Sequence, residues 1–108
     1  MPNPRQGEVY WADLPHPVGR RPVLILTRSF AIPQLSNVTV APLTRSRRGI
    51  QSEVDLTPDD GVPTDCSVSL DNIMTVPRSM LDSRIARLGE HRMRAVFDAI
   101  QFAFEMGA

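Results

Sequence analysis

The chain has no lysine. All twelve basic side chains among its 108 residues are arginines. Schiff-base and lysine-base chemistry are therefore excluded, and any anion must be met by guanidinium groups. There is one cysteine, Cys66, so no internal disulfide can form and a reducing, cytoplasmic setting is expected. Its sequence neighbour Asp65 offers nothing to activate a thiol, and Cys66 reads as a small buried residue. The two histidines, His16 and His91, stand far apart and cannot build a structural zinc site with a single cysteine. Asp59, Asp60 and Asp65 could surround Mg²⁺, but Asp-Asp-Gly is more simply a solvated turn. No metal and no cofactor are expected. No apolar run is long enough to span a membrane and no signal-peptide pattern is present, which predicts a soluble protein with no membrane partner. Gly-rich phosphate loops, HExxH and GxSxG are missing as well.

What is present suits one small domain over residues 1–108, with short strands and a terminal helix. Ten prolines argue against a helical bundle. Gly7–Leu14 alternates and is rich in β-formers. Pro22–Leu26 is a continuous apolar run, long enough for a strand buried on both faces. Val38–Leu43, Ser52–Leu56, Ser67–Leu70, Asn72–Val76 and Arg84–Leu88 read as further strands, with Ser67–Val76 as one bent strand in an alternative reading. Pro15–Gly19, Ser29–Asn37 and Pro58–Gly61 read as loops and turns. From Glu90 to about Met106, Met93, Val96, Phe97, Ile100 and Phe104 recur at helical spacing, a stripe for core or subunit contact. Gly107 stands where a helix stops. The expected fold is mainly β: a small, strongly bent antiparallel barrel with a C-terminal helix.

Charge is segregated although the total is zero. Arg20, Arg21, Arg28, Arg45, Arg47 and Arg48 lie between Leu14 and Ser52 without an acid among them. Glu53, Asp55, Asp59, Asp60, Asp65 and Asp71 follow without a base. Clustered guanidinium groups suit a polyanion such as nucleic acid; the alternative is that the two stretches neutralise each other in the fold. Within the basic stretch, Pro22 biases Arg21 toward extended backbone and so aims its side chain. An arginine held there can grip a phosphate through two parallel N–H bonds. Thr44 ends a strand and can donate its hydroxyl proton to a phosphate oxygen. If those two strands are neighbours, both groups reach the same end of the sheet. Structural roles remain open for each: Arg21 as an ion-pair partner, Thr44 as a strand-end cap.

Four segments in this order, Gly7-Glu-Val-Tyr-Trp-Ala-Asp-Leu14, Gly19-Arg-Arg-Pro-Val-Leu-Ile-Leu-Thr27, Val40-Ala-Pro-Leu-Thr44 and Ser67-Val-Ser-Leu-Asp-Asn-Ile73, resemble the MazF/PemK (Kid) toxins of bacterial toxin–antitoxin pairs. The resemblance runs from about Arg5 to the last helix. It implies an SH3-like barrel close to the CcdB fold, a homodimer, and a cognate antitoxin whose extended acidic-hydrophobic tail covers the arginine groove. It also implies a metal-independent endoribonuclease that cuts single-stranded RNA by 2′-OH attack, leaving a 2′,3′-cyclic phosphate and a 5′-OH. Arg21 stands at the family's catalytic arginine and Thr44 at its catalytic threonine. Asp71 matches an acidic position that some members use, and His16 lies in the loop where others place a histidine or glutamate. Ser69 replaces a second arginine found in some members. Arg20, Arg28, Arg45, Arg47 and Arg48 are the candidate RNA-binding cations, and Phe30 is the freest aromatic for base stacking. A CcdB-like topoisomerase-binding toxin, or an inactive relative that only pairs with an antitoxin, are the alternatives.

Overall fold

A computed structural model describes residues 3–107. Seven strands and one α-helix, with four short 3₁₀ helices between strands, occupy them: β1 (Glu8–Asp13), β2 (Arg20–Ile25), β3 (Asn37–Thr44), β4 (Glu53–Leu56), β5 (Cys66–Ser69), β6 (Met74–Pro77), β7 (Leu81–Arg87) and α1 (Glu90–Ala103). Every pairing is antiparallel, in the order β4-β5-β3-β2-β1-β7, with β6 also on β3. The fold is the expected bent antiparallel sheet with a C-terminal helix. The sheet is not closed: among the described residues β4 and β7 remain its two ends.

β2 is central because its sequence leaves no polar face. Val23, Leu24 and Ile25 are all fully buried. Leu24 joins Val9, Leu56, Val68 and Val96 under the helix, while Val23 and Ile25 join Ile32, Val38 and Leu81 on the other side. Two clusters on the two faces of one strand account for the unbroken apolar run.

β3 does the most to bend the sheet. One of its edges meets β2; the other meets β6 along Asn37–Val40 and β5 along Leu43–Thr44. Pro42 sits at the changeover, where no edge strand needs its missing N–H. The bend between β5 and β6 is a 3₁₀ turn, Leu70–Asn72.

Beyond shifts of one or two residues at strand ends, three elements differ from the sequence reading. Ser29–Gln34 is a 3₁₀ helix that buries Ala31 and Ile32, a tertiary gain that loop-like composition does not reveal. β7 begins at Leu81 rather than Arg84 because pairing with β1 extends it past its polar start. α1 ends at Ala103, and its inner face is Met93, Val96, Ala99, Ile100 and Ala103. Phe97 and Phe104 of the expected stripe point outward, 40% and 57% exposed, because small alanines let the helix lie close to the sheet.

Candidate active site

Arg21 and Thr44 meet because β2 and β3 are neighbours. The register pairs Ile25 with Val40, Leu24 with Ala41 and Val23 with Pro42; carried two residues on, it sets Arg21 opposite Thr44. The ladder stops short of that pair. The Leu26 N–H donates to the Thr39 carbonyl at 2.9 Å, so bonding pairs alternate as 26/39 and 24/41, and the next would be 22/43. Pro22 has no N–H to give. On its other edge β2 remains paired, with Arg21 opposite Ala12 of β1, which fixes the backbone that carries the guanidinium.

Two cavities flank this point. One, about 590 Å³, is walled by Trp11, Arg20, Val62, Thr64 and Cys66 among others. The second, about 670 Å³, is walled by Val18, Arg48, Ser69, Asn72 and Met74 among others. Arg21, Thr44 and Ser46 line both. The Thr44 Oγ1 accepts the Ser46 N–H at 3.2 Å, so its own proton is left to donate outward. Among the described residues Arg21 makes no ion pair, and it is half-buried. A partly desolvated guanidinium without a carboxylate has the donors to accept an anion.

Most of the other basic residues are already neutralised. Arg20 pairs with Asp13 at 3.1 Å and Asp82 at 2.8 Å and lies over the Trp11 ring at 5.0 Å. Arg47 bridges Asp55 at 3.1 Å and Asp65 at 3.3 Å. Arg48 donates Nε and Nη2 to one carboxylate oxygen of Glu53, at 3.0 and 2.6 Å. Acids of the Glu53–Asp71 stretch thus close on Arg47 and Arg48 of the basic stretch, and Glu53 is itself buried. The Ser67 hydroxyl, followed by Arg47, holds the Asp55 carboxyl below the usual carboxylate range. Arg45 is exposed and, among the described residues, has no ion pair.

The remaining sequence candidates disperse. Arg28 and Phe30 lie beyond the far end of β2 from Arg21, stacked on each other at 5.3 Å, and line neither cavity. Asp71 also lines neither; its Oδ2 accepts the Ser52 hydroxyl at 2.5 Å. His16 is exposed in the β1–β2 loop, and the next two residues, Pro17 and Val18, line the second cavity. Ser69 is buried and accepts the Asn72 Nδ2–H at 2.7 Å. Cys66 lines the first cavity, but burial pushes its thiol up, away from the reactive thiolate. Asp60 caps the turn at Thr57 and pairs with Arg92 at 3.0 Å, which accounts for it without a metal. Sequence reading missed Trp11, Ser46 and Asn72 as cavity walls. Strand parity could have found Trp11, since Tyr10 beside it is buried and the next side chain points the other way.

Residues 5–104 match the family described as PemK-like, MazF-like toxin of type II toxin–antitoxin system. The chain is 42% identical over 103 residues to a probable endoribonuclease, MazF5, of Mycobacterium tuberculosis, covering 94% of each. It is 46% identical over 90 residues to a probable endoribonuclease MazF2 of the same species, covering 82% of this chain and 86% of that one. Among solved structures it superposes on the M. tuberculosis toxin MazF-mt6 with a TM-score of 0.86 at 38% identity, covering 94% of this chain and 99% of that one. A mycobacterial endoribonuclease in complex with its cognate antitoxin gives a TM-score of 0.87 at 28% identity, with 97% and 98% covered.

Proposed function

This chain belongs to the PemK-like, MazF-like toxins of type II toxin–antitoxin systems, and on that premise we propose that it is a metal-independent endoribonuclease that cuts single-stranded RNA at short sequences. The observation that carries the reading is Arg21, a guanidinium with no ion pair among the described residues, facing Thr44 across the end of a β-ladder, with a cavity on each side.

The 2′-oxygen gives up its proton and attacks the adjacent phosphorus, the P–O5′ bond breaks, and the departing O5′ takes a proton from solvent, so that a 2′,3′-cyclic phosphate and a 5′-OH result. Negative charge grows on the non-bridging oxygens in the transition state. Arg21 meets it with parallel N–H donors, and Thr44 adds its hydroxyl proton. A guanidinium cannot serve as the base at physiological pH. His16 is the better placed of the two remaining candidates for the 2′-OH proton, because the residues after it line the second cavity while Asp71 is engaged by Ser52. The antitoxin's acidic tail covers the Arg21 and Arg45 surface, and a second copy of the chain covers the exposed phenylalanines of α1.

The test is digestion of a broad single-stranded RNA pool in the presence of EDTA, with both new ends mapped. Cyclic phosphate and 5′-OH ends at a short recurring sequence are expected. Arg21→Ala should lower the rate about 10²–10³-fold, the usual loss of one transition-state donor, with the thermal midpoint unchanged. Intact RNA at high enzyme would reject the reading.

A further inference from the structure

Only one of the two cavities beside Arg21 is furnished to read a base. In the second cavity, Asn72 is exposed, and one Nδ2 proton is committed to the buried Ser69 hydroxyl at 2.7 Å. That bond fixes the amide and leaves a second N–H and the carbonyl oxygen directed to other partners. Side by side, such a donor and acceptor match the edge of a nucleobase. Val18, Pro42 and Met74 supply apolar wall. Arg48, clamped onto Glu53 through Nε and Nη2, adds a held planar cation of the kind on which unstacked bases lie. The volume of about 670 Å³ falls in the roughly 300–1,000 Å³ range of small-molecule sites. The first cavity has no comparable fixed amide; its Arg20 is spent on two carboxylates and Trp11.

We propose that the cavity walled by Val18, Met74, Arg48 and Asn72 holds one nucleobase of the bound RNA next to the cut phosphate, and that Asn72 is the residue that reads it. The inference rests on the RNA-cleaving reading. It replaces Phe30 as the expected base contact, since Phe30 lies at the other end of β2.

The experiment compares wild type, Asn72→Ala and Phe30→Ala in two assays. The first maps cut sites on a randomised single-stranded RNA pool. The second measures binding of a panel of 2′-O-methyl, uncleavable RNAs that differ by one base around the preferred site. Asn72→Ala should relax preference at one position adjacent to the cut by about ten-fold, the scale of a lost two-bond base contact. Preference elsewhere should not change, and the thermal midpoint should fall only by the loss of the one bond to the buried Ser69 hydroxyl. Phe30→Ala should leave every position as in wild type. Cutting by Asn72→Ala with an unaltered sequence profile overturns the base pocket and leaves the endoribonuclease standing. A wild type that cuts nothing but binds the panel with a selectivity that Asn72→Ala loses keeps the pocket and removes the cleavage reading. No cutting and no selective binding rejects both.

Discussion

Arginines that look alike in the sequence have separate fates, and carboxylate partners decide them. Arg47, held by Asp55 and Asp65, has no free charge to lend to a phosphate, whereas Arg45 has. Each phosphate contact on a single strand contributes about −0.7 to the slope of log affinity against log salt. Arg45→Ala should lower that slope by about this amount for uncleavable RNA; Arg47→Ala should leave it as it is. A drop with Arg47→Ala would show that RNA displaces the carboxylates. Arg48 should reveal itself in stability instead. The Glu53 side chain is only 1% exposed, so Arg48→Ala strands a buried carboxylate, a change that costs about 3 kcal/mol. Denaturant unfolding measures it, and adding Glu53→Gln should restore most of the loss. Position 21 was legible in the sequence because Pro22 fixes its backbone. The fates of 47 and 48 were not, because their partners arrive from β4 and from Asp65, just before β5.

At the level of elements, the apolar run of β2 and the alternation of β1 were readable because each encodes which faces are buried. The sidedness of α1 was read only in part. A stripe of large residues was read as core or subunit contact; the sheet takes Met93, Val96 and Ile100 with the alanine-bearing face and leaves Phe97 and Phe104 outside the protomer core. Phe97→Ser should accordingly leave the protomer's unfolding free energy within about 0.5 kcal/mol, while Val96→Ala should cost about 1–3 kcal/mol as a buried truncation. A loss of dimer in sedimentation with Phe97→Ser alone is the expected mark of subunit contact. The β4–β5 pair carries a pH response. Asp55 is held acidic by the Ser67 hydroxyl and Arg47 in the folded state. Its contribution to stability is complete above the ordinary Asp value of about 3.9. It is lost as pH falls through the lower folded value. Asp55→Asn should melt earlier than wild type at pH 7, and the two midpoints should converge once the pH has fallen below that lowered folded value.

For the molecule as a whole, segregated charge was the loudest signal in the sequence, and it carried two meanings at once. Neutralisation across the fold accounts for Arg20, Arg47 and Arg48; the proposed anion site is what that neutralisation leaves over. Composition could not separate the two, because pairing depends on which strands become neighbours. The open sheet was likewise hard to foresee: strand count and bend are local properties, whereas closure depends on whether the last strands meet. β3 shows the same limit, since its two partners on one edge come from a segment that the sequence left as one strand or two.

Pro22 sets one further property of the site. A residue with an amide hydrogen at that position would bond the Leu43 carbonyl and zip β2 to β3 one step further, drawing Arg21 and Thr44 together. Pro22→Val is expected to gain about 1 kcal/mol from the added bond and to lose most RNA cleavage, with unfolding and initial-rate measurements moving in opposite directions. The protein would then hold its cutting edge open by leaving a seam unstitched, and a tighter sheet would be a duller enzyme.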